Sequence, residues 1–428
     1  MIAESDSPSR LGWREYATLL RTNRNYRLLW MAQIVSEIGD WLYAVVIYDL
    51  LLERTGMARS VATAVILQTL PQMLVSPMAG VVNDRLRRCS VMIGADFARF
   101  AIVGAMLWAV HLESIWPLYV LLVLETAMWG FFEPGRSALL PNLVSSRRET
   151  LVANTLSSTT WSFNLAIGSA LGGLLGVWLG RNAVFVINAG TFLVSAVLIM
   201  RMRVEEPHAA NMPPLRVADL FDFSPVVEGF RYIFHHKRLL ATLLSKAGLG
   251  FMGANYIILS VFGERVFRMG ASAMLGMSLL MGARGVGSLI GPVLGGYWAS
   301  GDHRRLRRGI LFGFFAASAG YVALAFAPDI LTAMACVTLA HAGGATIWVF
   351  STTMIQHQAD DRFRGRVFSA DFAFLVMAMT ASTWLSGSAV DAGAAIRHVS
   401  IAVGVLILVP AALWAVLALP LWRESSNP

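Results

Sequence analysis

The chain has 428 residues, of which 56% are hydrophobic and only 14% charged, with a mean hydropathy of +0.61. A water-soluble protein carries about 25% charged residues, so composition excludes an ordinary soluble domain. The net charge of +8 raises nucleic acid as a partner, but the placement of the basic residues argues against it.

Apolar runs of about twenty residues are the length of a helix that crosses a bilayer. Twelve such spans are predicted, at about 28–52, 61–82, 91–111, 117–138, 152–179, 182–201, 239–262, 271–298, 309–327, 330–352, 366–389 and 399–421. Residues 202–238, with Pro207, Pro213 and Pro214 and mixed charge, separate residues 1–201 from 239–428. Within that linker, the stretch from Pro225 reads as an amphipathic helix lying at the membrane surface. The polar, basic start of the chain lacks the early apolar core of a cleavable signal peptide.

Lysine and arginine concentrate before span one, in the loops after spans two, four, eight and ten, and in the linker. The opposite connections hold only Arg54, Arg59, Arg181, Arg265, Arg268 and Arg397. This asymmetry predicts that both termini face the cytoplasm. It also accounts for the basic charge without nucleic acid. Cys89 and Cys336 lie too differently in the sequence to suggest a disulfide or a metal site, and no cofactor is expected.

Pro77 and Gly80 end span two and lead into Asp84, Arg85, Arg87 and Arg88. About half a chain later, Pro292 and Gly295 lead into Arg304, Arg305, Arg307 and Arg308, with Ala299 where the first copy has Asp84. Such an internal repeat is how many transporters are built.

Six spans per half, the repeat and the G-x-x-x-D-R loop resemble the major facilitator superfamily. Asn25-Tyr26-Arg27, Gly39-Asp40-Trp41, Asp84-Arg85, Ala95-Asp96, Arg99, Phe132, Pro134, Arg136 and Ala153-Asn154 are similar to the enterobactin exporter and macrolide efflux pump subgroup. The resemblance implies an all-α multi-pass fold of two six-helix bundles related by a pseudo-two-fold axis, in the bacterial cytoplasmic membrane. It also implies that spans one, four, seven and ten line a cavity, while spans two, five, eight and eleven form the seam between halves. Gly80, Asp84, Arg85, Arg87, Arg88 and Arg136 would then form a conformational switch, with Asp84 pairing with an arginine such as Arg136 or meeting a helix N-terminus. Gly168, Gly172 and Gly173 in span five, and Gly287, Gly291 and Gly295 in span eight, are spaced to let helix backbones approach closely.

Ionisable residues inside spans cost about 2.5–3.5 kcal/mol or more at mid-bilayer, so they are expected to face water or a partner. Glu37 and Asp40 share a face of span one at i, i+3, and Glu125 is on span four; with His341 these are the proton-coupling candidates. Lys246 and Arg284 are candidate charge partners for those acids. Asp96 and Arg99 are expected near the cytoplasmic start of span three, paired with each other or with the basic loop. Trp41, Trp129, Phe132, Asn255 and Trp348 are candidate cargo contacts.

No G-x-x-x-x-G-K-[ST], H-E-x-x-H or G-x-S-x-G sequence occurs, so ATP hydrolysis and common hydrolytic chemistries are not expected. The expected function is export of amphipathic small molecules by a monomer, driven by protons. A siderophore or secondary-metabolite exporter, a lysolipid flippase and a non-transporting sensor or scaffold are the alternatives.

Overall fold

Hydrocarbon offers no partner to backbone N–H and C=O groups, so apolar runs of this length must satisfy them internally, as helices. The computed structural model describes residues 13–206, 224–269, 274–299, 302–360 and 363–418. Residues 207–223 of the expected linker and residues 361 and 362 lie outside the described residues.

The protein is all-α. A short helix, α1 (Trp13–Thr22), precedes α2 (Arg24–Thr55), α3 (Ala58–Leu67), α4 (Leu70–Arg85), α5 (Arg88–Ala109), α6 (Trp116–Leu143), α7 (Arg147–Leu179) and α8 (Arg181–Met200). After the linker come α9 (Ser224–His235), α10 (Lys237–Gly248), α11 (Asn255–Val261), α12 (Met274–Ala299), α13 (His303–Leu324), α14 (Ile330–Gln358), α15 (Arg364–Asp391), α16 (Ile396–Leu406) and α17 (Leu408–Leu413). The amphipathic stretch from Pro225 is helical as expected, within α9.

Eight segments of the described residues are long and apolar enough to cross a membrane. The other four expected spans fall on α2, α6, the segment from Lys237 to Val266, and α13. The first three carry buried charged side chains, and α13 begins with four arginines. Charge dilutes the apolar signal in the helices of greatest functional interest.

Local chemistry sets the breaks. Asn23 caps α2 by accepting from the Tyr26 N–H at 2.9 Å, and Gly56, at φ +64°, ends it in the left-handed region open to glycine. The apolar run expected as one span at 61–82 is two helices. Pro71 lacks an N–H, and its ring would meet the carbonyl four residues back, so the helix yields at Gln68 and Thr69. That break frees the Gln68 side chain for the polar network below. The run at 239–262 is also interrupted, by a 3₁₀ stretch at Leu249–Ala254 and a wider turn at Phe262–Val266. On the surface, Asp329 caps α14 by accepting from the Thr332 N–H at 2.9 Å, which holds its carboxyl below the usual carboxylate range.

The six glycines singled out all allow close packing, but Gly168 and Gly172 face α2 and Gly287, Gly291 and Gly295 face α14. Only Gly173 meets the α7–α12 seam, which is otherwise made by Gly176, Gly282 and Gly285. A methyl on Gly172 would run into the backbone of Leu42 in α2, and one on Gly173 would overlap Ser278 of α12. Between Ala166–Gly176 and Met274–Gly285, α7 and α12 pack backbone to backbone. Beyond that stretch the α12 side chains Ile290, Val293, Leu294 and Tyr297 are exposed.

Candidate functional site

Gln33, Glu37, Asp40 and Tyr43 recur at three- and four-residue spacing, which gives α2 a polar stripe. Asp40 and its neighbours meet at Arg99, halfway along α5. The Nη2 of Arg99 donates to both carboxylate oxygens of Asp40 at 2.7 Å, and its Nε donates to Oε1 of Glu125 at 2.8 Å. Asp96 lies one turn before Arg99, its Oδ1 3.9 Å from Nη1. The Phe192 ring closes the cage, 4.0 Å from the guanidinium carbon. Arg99 and Asp96 are buried, whereas the Asp40 side chain is 23% exposed and is the most open member of the set. Neither Asp96 oxygen has a hydrogen bond among the described residues.

The expected Asp96–Arg99 pairing is present at 3.9 Å, but the expected placement near the start of the span and the alternative with the basic loop are corrected. Arg99 is about 16 Å along its helix, at 1.5 Å per residue, and is too deep to reach the basic loop. Its closer partners come from α2 and α6, a pairing with no local sequence signal.

Three carboxylates around one guanidinium leave two excess negative charges if all ionise. An uncompensated buried charge costs several kcal/mol, so an excess of carboxylates over cations at this place is itself unfavourable. A polar chain leads away from the cage. The Tyr43 hydroxyl donates to Oε2 of Glu125 at 3.3 Å, Gln68 donates to the Tyr43 oxygen at 3.5 Å, and Tyr48 donates to Oε1 of Gln68 at 2.6 Å. The Tyr48 ring then meets the Tyr256 ring edge-on, 6.0 Å between centroids.

Glu37 turns away from Asp40 into a separate network. Gln33 and Asn164 each donate to its carboxylate at 2.9 Å. Arg136 donates to Oε1 of Gln33 at 3.2 Å, while Glu133 takes the main charge of Arg136 at 2.5 and 2.8 Å. Glu37 and Asp40 share a helix face but do not share partners.

The expected partnership of Asp84 with Arg136 is not formed. Arg136 is taken by Glu133, and Asp84 is 72% exposed, 4.0 Å from Arg88. A side chain on Gly80 would meet nothing within 4 Å. Arg87 lies 3.7 Å from Glu206, whose carboxylate accepts from the Arg88 N–H at 2.6 Å and so caps α5. Arg85 is the last residue of α4.

Lys246 and Arg284 do not partner the acids of α2 and α6. Lys246 pairs with Asp371 at 2.5 Å, donates to Thr352 at 2.9 Å and lies 4.2 Å from the Trp348 ring. Asp371 is an acid inside an apolar run, the same sequence signal that marks Asp40. Arg284 donates to the Tyr256 hydroxyl at 3.1 Å and lies against the rings of Tyr256 and Trp41, at 4.6 and 5.7 Å. His341 is buried beside the Tyr321 hydroxyl at 3.1 Å.

The cargo candidates divide. Trp41 and Trp129 are half-buried, and Trp348 is 40% exposed. Asn255 donates to the Met252 carbonyl at 2.6 Å and has a buried carbonyl oxygen without a partner. Phe132 drops out, because it is buried in a core with Leu29, Ala32, Met92 and Ala95 and presents no free surface.

A second long-range contact closes one end of the molecule. The Asp391 carboxylate accepts from the N–H groups of Ala58 and Arg59 at 2.7 and 3.0 Å, and from Nε of Arg59 at 3.0 Å. Arg265 donates to the Gly56 carbonyl nearby at 3.1 Å. Sequence pattern gave no sign of this joint between α15 and the start of α3.

The Major Facilitator Superfamily sequence profile matches residues 29–370. The chain belongs to that superfamily. Its members are transporters, a non-catalytic family, and this chain is an all-α, multi-pass membrane protein. It is 27% identical over 229 residues to the uncharacterized MFS-type transporter YfiS of Bacillus subtilis, covering 53% of each chain. It is 27% identical over 222 residues to macrolide efflux protein A of Streptococcus pyogenes, covering 50% of this chain and 53% of that one. These matches span about half the length of the relatives. A longer match, 23% identical over 390 residues, covers 91% of this chain and 94% of the putative bacilysin exporter BacE of Bacillus amyloliquefaciens. Among solved structures, the nucleoside transporter NupG superposes with a TM-score of 0.71 at 11% identity, over 91% of this chain and 99% of that one. The POT family transporter PepTSo gives 0.70 at 11% identity, over 92% and 98%. The fold is that of the superfamily.

Proposed function

We propose that this superfamily member is a secondary active exporter of amphipathic small molecules that exchanges protons for cargo by alternating access. The Arg99 cage is the observation that carries the reading. It offers carboxylates in excess over cations, with Asp40 open enough to exchange protons. The names of the macrolide and bacilysin relatives support outward transport; the siderophore alternative rests on residue pattern alone.

In this reading twelve spans form two six-helix bundles, residues 1–201 and 239–428, joined by the linker 202–238. The α7–α12 seam supports it, as does the packing of α3 on α15. Both termini lie in the cytoplasm of a bacterial cell, and the transporter works as a monomer. An external thiol reagent that cannot cross the membrane is expected to label a cysteine placed at Arg59 or Arg397 and to miss one at His208. Labelling at 208 from outside would invert the orientation.

With that orientation the closed end is external. There Asp391 joins α15 to α3 and α7 packs on α12, while Asp84 at the opposite end is exposed. Asp391 is then the external latch of the inward-open state. The Asp391→Ala protein is expected to favour the outward-open state by at least about tenfold, or about 1.4 kcal/mol. The change would be read as faster labelling, from outside, of a cysteine at Ala62. Unchanged labelling would remove the latch assignment.

The overall reading is tested by comparing metabolite and drug accumulation in cells with and without the protein. Lower accumulation of at least one amphipathic compound, reversed by a proton uncoupler, is expected. Equal accumulation of every compound would contradict export.

A further inference from the structure

Arg284 is the buried cation of the described residues that has been left without a carboxylate. Arg99 has Asp40 and Glu125, Arg136 has Glu133 and Lys246 has Asp371. Arg284 is only 9% exposed, makes no ion pair among the described residues, and its buried Nη1 has no hydrogen-bond partner. Its neighbours are instead the Tyr256 hydroxyl, which takes Nη2 at 3.1 Å, and the rings of Tyr256 and Trp41. Aromatic faces offset part of the cost of burying a guanidinium but do not occupy its donors. Such a group keeps a forked donor ready for an oxyanion, beside flat apolar walls.

We infer that Arg284 is the anion-recognition residue of the cargo site, and that the cargo joins a carboxylate or phosphate to an aromatic or otherwise apolar body. The inference rests on the exporter reading and narrows its substrate class. The helix around Arg284 is fixed for this task, because the next residue, Gly285, packs directly on Ala166 of α7. Tyr256 orients the guanidinium through its hydroxyl and lies on the interrupted segment between Lys237 and Val266. Trp41 adjoins Asp40 in sequence, which places the anion site next to the helix turn that carries the proton-cage carboxylate.

The test is saturation binding of radiolabelled 2-naphthylacetate to the full chain in lipid nanodiscs without a proton gradient. A failed coupling mechanism therefore leaves the result unaffected. The neutral 2-naphthylacetamide is expected to bind at least about tenfold more weakly, which is about 1.4 kcal/mol. Arg284→Gln is expected to erase that preference, and Arg284→Lys to keep part of it, with both variants eluting as wild type on size exclusion. Tighter binding of lysophosphatidylglycerol than of neutral monoolein, lost in Arg284→Gln, would identify a lipid as the source of the anion. Preference for the soluble acid over its amide would identify a soluble cargo. Equal binding of acid and amide, no saturable binding of either anion by the wild-type protein, or an intact preference in Arg284→Gln would overturn the assignment. Proton-linked export of neutral compounds would still stand in each of those cases.

Discussion

The Asp40→Asn protein is expected to lose uphill efflux entirely while keeping some downhill exchange. Asparagine preserves the size of the side chain and one acceptor for Nη2 of Arg99, so folding should survive. It removes the one cage carboxylate that is 23% exposed, the group to which the proposed coupling assigns proton exchange. Glu125 and Asp96 still neutralise Arg99, but they are almost wholly buried. Efflux against a gradient should fall by at least about a hundredfold, equivalent to about 2.8 kcal/mol of lost coupling. Glu37→Gln should do much less, because Glu37 sits in an amide cradle outside the cage. Wild-type uphill efflux by Asp40→Asn, at normal expression, would move the coupling role to Glu125.

Arg99→Met should have the largest effect on folding. It removes the shared cation and leaves Asp40, Asp96 and Glu125 facing one another with no compensation. Breaking a buried ion pair from one side costs about 3–5 kcal/mol, a large share of the roughly 5–15 kcal/mol that stabilises a typical domain. Folded yield by fluorescence-detected size exclusion should drop sharply. Combining Arg99→Met with Asp40→Asn and Glu125→Gln should restore much of that yield without restoring transport. A well-folded single variant would show that the carboxylates are satisfied without Arg99.

Much of the fold was legible because its physics is local. Apolar run length marked eight segments long and apolar enough to cross a membrane, and Pro71 could have marked the break in the second expected span. Glycine spacing marked close helix packing but, Gly173 apart, not the α7–α12 seam. The individual charges of the site were equally plain, because each is an anomaly in an apolar run. Their partners were not. Arg99 meets Asp40 and Glu125 across 59 and 26 residues, and Lys246 meets Asp371 across 125. Helix period gives the face of each residue but not the helix it will meet. Glu37 and Asp40 show the limit, since i, i+3 spacing put them on one face and their partners on α7 and α5 pulled them apart. Asp84 shows another, because the contact expected with Arg136 is not formed and the side chain lies exposed near the end of α4.

The central claim is that cargo moves against protons bound at the Arg99 cage. The most direct measurement uses everted membrane vesicles, energised by respiration and loaded with a pH-sensitive dye, to which a compound excluded by expressing cells is added. Cargo-dependent proton release from vesicles with the wild-type protein, and none with Asp40→Asn, is the predicted result. Uphill transport of that compound without proton movement, or equal proton movement in the two proteins, would contradict the claim.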